Sequence, residues 1–286
     1  MDLDCITFRQ LTRNELDTAV DWAAAEGWNP GLHDADVFWE TDPEGFIGAE
    51  LNGELVGTGS IVSYEGEYGF MGFFIVRPEL RGSGIGTKLW FHRRDLLKSR
   101  LKPGAVIGMD GVFDMQNWYA KGGFEFYHRN LRMEGVGAPG HPDPEIVELS
   151  AHSFEKVAAF DLPYFGCARD PFLKRWLTLP DSLALGFLRD GKLVGYGVIR
   201  RCREGCKIGP LFAEDGGVAE SLLVALRTFG DEVPVWLDIP ENNPEAVALA
   251  DRHGMKEVFG CARMYYGAAP ELPWDKIFGI STFELG

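Results

Sequence analysis

Val76-Arg77-Pro78-Glu79-Leu80-Arg81-Gly82-Ser83-Gly84-Ile85-Gly86-Thr87-Lys88-Leu89 is the stretch on which the reading of this chain turns. An apolar run, Tyr68 to Val76, ends here because Pro78 withdraws a backbone donor. Three alternate glycines then let successive N–H groups face one way. The helical pattern that follows, from Gly84 to Arg100, directs the positive end of its dipole into the same space. Arg81 adds a full charge, so the segment predicts a strand, loop and helix that cradle an anion of pyrophosphate size. Two other phosphate loops are excluded. Thr87 stands where a dinucleotide fingerprint needs its third glycine, and the only Gly-Lys, Gly191-Lys192, precedes Leu193 where a Walker loop needs Ser or Thr.

Upstream of the loop, Phe46 to Leu51 and Leu55 to Tyr64 read as strands around Asn52-Gly53, a strong hairpin signal. Before them, Leu11 to Ala25 reads as a helix capped by Thr12, with Glu15 at capping-box spacing. Downstream, a buried strand over Ala105 to Met109, a short helix near Met115 to Lys121 and a strand from Phe124 to Met133 complete the unit. Antiparallel strands followed by strands separated by helices predict an α/β (α+β) fold with a mixed, mainly antiparallel twisted sheet flanked by helices.

The pattern occurs twice. Gly53-Glu54-Leu55-Val56-Gly57 recurs as Gly191-Lys192-Leu193-Val194-Gly195, and Leu11 and Leu16 have counterparts in Leu149 and Phe154. Gly123-Phe124 answers to Gly254-Met255, and Arg132-Met133 to Arg263-Met264, at an offset seven residues smaller. A shorter hairpin arm in the second half is the expected source of that change. Between the copies, Gly135 to Pro144 is too rich in glycine and proline for helix or strand. The expected organisation is therefore a first domain over 1–136, a linker over 137–145 and a second domain over 146–286.

The 286 residues carry 28 Lys and Arg against 43 Asp and Glu, a formal net charge of -15. A phosphodiester backbone would be repelled over most of such a surface, so nucleic acid is excluded as a partner. Cationic small molecules suit it better. Cys5, Cys167, Cys202, Cys206 and Cys261 are odd in number and lack a CxxC pair or zinc spacing, so they are expected to be reduced thiols with no metal site. No run approaches the roughly 18 apolar residues of a membrane span, and Met1-Asp2-Leu3-Asp4 is acidic where a signal peptide is basic. A cytoplasmic chain without membrane contact is expected, as a monomer or homodimer.

Arg81-Gly82-Ser83-Gly84-Ile85-Gly86 resembles the Arg/Gln-x-x-Gly-x-Gly/Ala signature of the GNAT superfamily of N-acetyltransferases, and Asn117-Trp118-Tyr119-Ala120-Lys121-Gly122-Gly123-Phe124 resembles its tyrosine-bearing second motif. The tandem arrangement is like that of two-domain bacterial members. The resemblance implies acetyl-CoA as cosubstrate. The backbone of Phe74, Ile75 and Val76 would bind the acetyl carbonyl and the pantetheine arm. Arg81, Gly82, Ser83, Gly84, Ile85, Gly86 and Thr87 would hold the pyrophosphate, with Asn117 on the pantetheine. Tyr119 takes the place of the general acid that protonates the departing thiolate. The strand carboxylate that often serves the family as base has no counterpart, because Gly72 stands near its position. Asp110, at the end of the next strand, is the favoured replacement, with Asp114, Glu65 and Glu67 as alternatives. Trp28 and Asp34 are expected at the wall of the acceptor site, with Asp36 nearby.

In the second half, Glu214 and Asp215 stand where a pyrophosphate would lie, and Ala250 replaces the tyrosine. That copy is expected to be degenerate. The function expected is transfer of acetyl from acetyl-CoA to a primary amine by direct attack, the acceptor being a small cationic metabolite or a lysine side chain. The alternative is a catalytically weak acyl-CoA-binding sensor or regulatory protein.

Overall fold

A computed structural model describes residues 5–141, 143–149 and 154–286. The acidic start and Pro142 of the expected linker lie outside the described residues. The first half runs β1 (Ile6–Gln10), α1 (Arg13–Ala25), α2 (Asp34–Thr41), β2 (Phe46–Leu51), β3 (Glu54–Tyr64) and β4 (Tyr68–Val76). It continues with α3 (Ile85–Arg100), β5 (Val106–Val112), α4 (Gln116–Ala120) and β6 (Glu125–Val136). The second half repeats the order as β7 (Ile146–Glu148), α5 (Phe154–Phe165), α6 (Asp170–Trp176), β8 (Ser182–Arg189), β9 (Lys192–Arg201) and β10 (Cys206–Ala213). Then follow α7 (Gly216–Arg227), β11 (Pro234–Pro240), α8 (Pro244–Arg252) and β12 (Lys256–Tyr266), with one strand that has no counterpart, β13 (Ile277–Gly279).

Local signals set the ends of these elements. Glu15 N donates to Thr12 Oγ1 at 3.3 Å while Glu15 Oε2 accepts from Thr12 N at 2.8 Å, so both ends of the capping box are closed at the start of α1. Asn52 and Gly53 both have positive φ, 52° and 81°, which a two-residue turn between twisted strands requires.

All strands join one mixed sheet, in the order β1-β2-β3-β4-β5-β12-β6-β11-β10-β9-β8-β7, with β13 pairing β10 off that path. The halves exchange their last long strands. β12 of the second half lies antiparallel to β5 of the first, and β6 of the first lies antiparallel to β11 of the second. β12 and β6 pair with each other at the centre. Each exchanged strand carries an arginine that pairs with the aspartate opposite it: Arg263 on β12 with Asp110 on β5, and Arg132 on β6 with Asp238 on β11. All four side chains are at most 7% accessible. Sequence that divides cleanly at the linker is thus hydrogen-bonded across it.

The offset between the copies shortens at a different place from the one expected. Gly57 pairs with Val76 and Gly195 with Ala213, so the hairpin arms differ by one residue. Residues 77–84 join β4 to α3, whereas only 214 and 215 join β10 to α7. The residues missing from the second copy are those of the phosphate loop itself.

Candidate active site

β4 pairs with β5 in parallel only from Tyr68 to Met71. Beyond that point an extra residue enters β4 between its partners Gly72 and Ile75, and Phe73 turns to φ 48°. A bulge of this kind bends its strand away from the neighbour. The edge of β4 from Phe73 to Val76 therefore faces a gap instead of a strand, and those of its peptide groups that the chain does not itself bond are open to a ligand.

That gap is a cleft of about 510 Å³. Phe74, Ile75 and Val76 form one wall, Val112, Met115, Trp118 and Tyr119 the other, and Arg81, Gly82, Gly84, Gly86 and Thr87 the mouth. Gly82 and Gly84 have φ of 78° and 96°, a backbone conformation that demands glycine, and at Gly82 a Cβ would meet nothing within 4 Å, so there the backbone alone sets the requirement. Gly84 is the N-cap of α3 and has no side chain to bond the free N–H groups of the first turn. Arg81 Nε donates to Val76 O at 3.0 Å, and its Nη2 pairs with Glu26, also at the mouth. Ser83 and Ile85 shape the loop from outside the cleft: Ser83 Oγ donates to Leu80 O at 2.5 Å, and Ile85 is fully buried. Asn117 is exposed and does not line the cleft.

The inner end opens into a smaller cavity of about 70 Å³. Trp28, Phe74, Val112 and Tyr119 border both spaces. Tyr119 is 5% exposed, its ring stacked at 6.2 Å on Trp90, and its hydroxyl makes no hydrogen bond among the described residues. Gly111 must be glycine, because a Cβ there would collide with the tyrosine ring. Burial pushes the phenol up to about 12, with Cys261 adding to the rise and Arg93 opposing it. The Arg93 guanidinium is fully buried, with no carboxylate paired to it among the described residues: Nη2 donates to Ser60 O at 2.5 Å and Gly72 O at 2.7 Å, while Nε and Nη1 have no partner among those residues. Burial pulls it down to about 9, against the influence of Tyr119, so it stays charged at neutral pH. A cation thus sits behind the β4 bulge, facing Phe74 at 5.4 Å.

Trp28 lines both spaces, whereas Asp34 lines neither. Asp34 is 1% exposed and closed off by Arg200 Nε at 2.7 Å, Arg200 Nη2 at 3.0 Å and Gly31 N at 2.8 Å. Burial alone would raise its pKa, but the charges of Arg200 and Lys207 with these hydrogen bonds hold it below the ordinary value. Asp110 borders the inner cavity, yet its side chain has no accessible surface. Its oxygens accept from Arg263 Nε at 2.9 Å, Arg263 Nη2 at 2.7 Å and Asn130 Nδ2 at 2.8 Å. That arrangement is the twin of Arg132 and Asp238, so the fold already accounts for Asp110. Glu65, Glu67 and Asp114 are exposed and line neither space.

The inner cavity also contains residues to which sequence reasoning gave no role: Phe73, Met109, Phe259, Cys261, Phe283 and Glu284. The last two belong to the segment after β13, part of a run that is buried throughout from Ile277 to Gly286. Glu284 is its only charged residue. A second signal was Gly72 itself, a gap among bulky β4 residues, where a Cβ would collide with the Glu284 carbonyl oxygen.

The corresponding site in the second half is closed. β10 parts from β11 after Ile208, but β13 pairs with β10 at Leu211 and Phe212, and Ile280 N donates to Asp238 O at 2.8 Å. Asp215 caps α7 by accepting from Val218 N at 3.0 Å, and Arg189 holds its other oxygen at 3.1 Å. A tethered carboxylate occupies the anion position.

A model of the acetyltransferase (GNAT) family matches residues 11–124, and a model of an acetyltransferase (GNAT) domain matches residues 157–279. Over 282 residues the chain is 30% identical to the holothin acyltransferase of Pseudoalteromonas sp. (strain SANK 73390), covering 98% of this chain and 94% of that one. The chain belongs to the GNAT family. As an acyltransferase of this family it shares its fold with a Pyrococcus horikoshii structure assigned as an acetyltransferase, at a TM-score of 0.85 and 24% identity over 100% of this chain and 98% of that one. It also matches a tandem GNAT protein from the clavulanic acid biosynthesis pathway, at a TM-score of 0.63 and 16% identity over 93% of this chain and 99% of that one. Among the described residues no group of side chains could hold a metal ion, and no helix is long and apolar enough to cross a membrane.

Proposed function

We propose that the first half transfers acetyl from acetyl-CoA to a compact primary amine held in the inner cavity, and that the second half binds no coenzyme A. One observation carries this reading. Tyr119, whose hydroxyl has no hydrogen-bond partner among the described residues, lies where a cleft leading from the phosphate loop meets a smaller cavity.

Pyrophosphate at the mouth would take the N–H groups at the start of α3 and draw Arg81 from Glu26. Pantetheine would run along the open edge of β4, placing the thioester carbonyl against its N–H groups, which stabilise the oxyanion of the tetrahedral intermediate. The Arg93 charge behind the strand favours the same negative charge. Tyr119 then donates its proton to the departing thiolate, for which even a phenol raised by burial is adequate at hydrogen-bond distance. Asn117 is left at most a contact with the outer pantetheine chain.

The inner cavity narrows the expected acceptor. Its walls are Trp28, Met71, Phe73, Met109, Phe259 and Phe283, which suit an amine on a small apolar body better than an extended polyamine. A full-length relative that is an acyltransferase supports acyl transfer as the activity. The test is coenzyme A release from acetyl-CoA with a panel of small amines. Release that depends on the amine and is lost in Tyr119→Phe supports the reading. Acetyl-CoA binding without release by any amine would favour a sensor.

A further inference from the structure

We propose that Glu284, brought across Gly72 by the segment that follows β13, is the general base that takes a proton from the acceptor ammonium. The inference rests on the amine acyltransferase reading and adds a catalytic group outside both stretches that match the family models.

The main chain around Glu284 is pinned from several sides. Tyr64 Oη donates to Leu285 O at 2.7 Å, Leu285 N to Thr282 Oγ1 at 2.9 Å, and Ser60 Oγ to Glu284 O at 3.4 Å. Arg169 Nη1 donates to Ser281 Oγ at 2.7 Å further back along the segment. Close approach to β4 is possible only because residue 72 has no side chain. Gly72 and Glu284 are therefore two parts of one arrangement, in which an acidic residue joins the cavity wall from the segment and not from the strand.

Glu284 is one of the residues that border the inner cavity, it is 5% exposed, and its carboxylate forms no hydrogen bond or ion pair among the described residues. Four other charged groups face it. Asp34 on α2 is paired with Arg200 on β9, and Arg132 on β6 is paired with Asp238. Lys207 on β10 donates to Trp28 O at 3.1 Å and has no ion pair among the described residues. Once the two closed pairs are set aside, Glu284 is the negative group left without a contact partner among the described residues. Buried charges of this kind are rare unless they have a function. Burial pushes its carboxyl above the ordinary range, with Asp34 adding to the rise and Lys207, Arg132 and Arg200 opposing it. A carboxylate held in that state is a stronger base than one in water.

The steps balance. The ammonium gives one proton to a Glu284 oxygen, and the freed nitrogen lone pair forms the C–N bond at the thioester carbon. As the intermediate collapses, the C–S bond breaks and the thiolate takes the Tyr119 proton. The proton remaining on the acylated nitrogen restores the phenol, and Glu284 releases its own to solvent.

The test measures coenzyme A release by the full chain from acetyl-CoA with benzylamine and with aniline, from about pH 5 to about pH 10, in wild type, Glu284→Gln and Glu284→Asp. Benzylamine is an ammonium at neutral pH, whereas aniline is already neutral. Glu284→Gln should lower kcat/KM for benzylamine by about 100-fold or more at neutral pH. It should affect aniline far less, move the acidic limb of the benzylamine profile up to the ionisation of the amine itself, and leave acetyl-CoA affinity unchanged. Glu284→Asp should keep the wild-type limb at a reduced rate. Equal losses with both amines, or an unchanged profile in Glu284→Gln, would overturn the inference while the acyltransferase reading stands. Failure of wild type to release coenzyme A with either amine would overturn both.

Discussion

Eight residues connect β4 to α3 and two connect β10 to α7, and the contrast extends through the whole cleft. In the first half the strands part over an open space of about 510 Å³, the helix start is uncapped, and a tyrosine hydroxyl waits at the inner end. In the second half the same parting is filled by β13, the helix start is capped by Asp215, and buried Ala250 stands in the tyrosine's place. The sheet is alike in both, so the fold itself supplies only a gap. Whether the gap becomes a binding site depends on what the chain leaves unsatisfied there. The second half has closed its gap with its own residues, and the segment that does so continues into the first half to finish the inner cavity.

The largest difference between the halves should appear in turnover. Tyr119→Phe is expected to lower kcat by about 10²- to 10⁴-fold with acetyl-CoA affinity unchanged, and Ala250→Tyr should produce no activity in that background. Steady-state rates and calorimetric binding on the same preparations would check both. Activity gained by Ala250→Tyr would mean that the second cleft is open to ligand after all.

Where the halves are symmetric, substitutions should act alike. Asp110→Asn and Asp238→Asn each leave an arginine without its counterion across an exchanged strand, and each should cost about 3–5 kcal/mol of stability. Denaturant titration measures this directly. If Asp110 were the catalytic base, its variant would lose activity while still folded and its twin would not. Equal destabilisation, with activity retained in the folded fraction of both, assigns Asp110 to the sheet.

Much of this contrast was legible before the structure. The Asn52-Gly53 turn, the Thr12 cap and the Arg81 to Gly86 loop are short-range signals, each fixed by a few neighbouring residues, and so were Glu214 and Asp215 in the second half. Strand exchange was not legible, because Arg132 and Arg263 look the same in sequence whichever aspartate they meet. The role of Glu284 was hidden for a related reason. Gly72 read as the loss of a carboxylate, and only the three-dimensional path of a segment more than two hundred residues later explains it, as room for the main chain of Glu284.

Arg81→Ala should weaken acetyl-CoA binding by about 10- to 100-fold, the usual worth of a hydrogen bond to a charged group. Wild type should titrate at one acetyl-CoA per chain. Two sites would break the comparison, since the second could lie only where β13 and Asp215 now stand.

The smallest effect expected is at Asp215 itself. Removing the cap by Asp215→Ala should lower stability by about 1 kcal/mol and leave both turnover and the single acetyl-CoA site as they were, because β13 still fills the cleft. The backbone N–H of Val218, with Arg189 as the lesser influence, holds this carboxyl below the ordinary value. Its contribution is therefore present above the unfolded-state carboxyl pKa and lost as pH falls through the folded one. The stability difference between wild type and Asp215→Ala should accordingly vanish in acid, which thermal unfolding at a series of pH values would read. A difference that persisted in acid would show that the residue supports α7 by packing and not as the anion its helix would otherwise draw from solution.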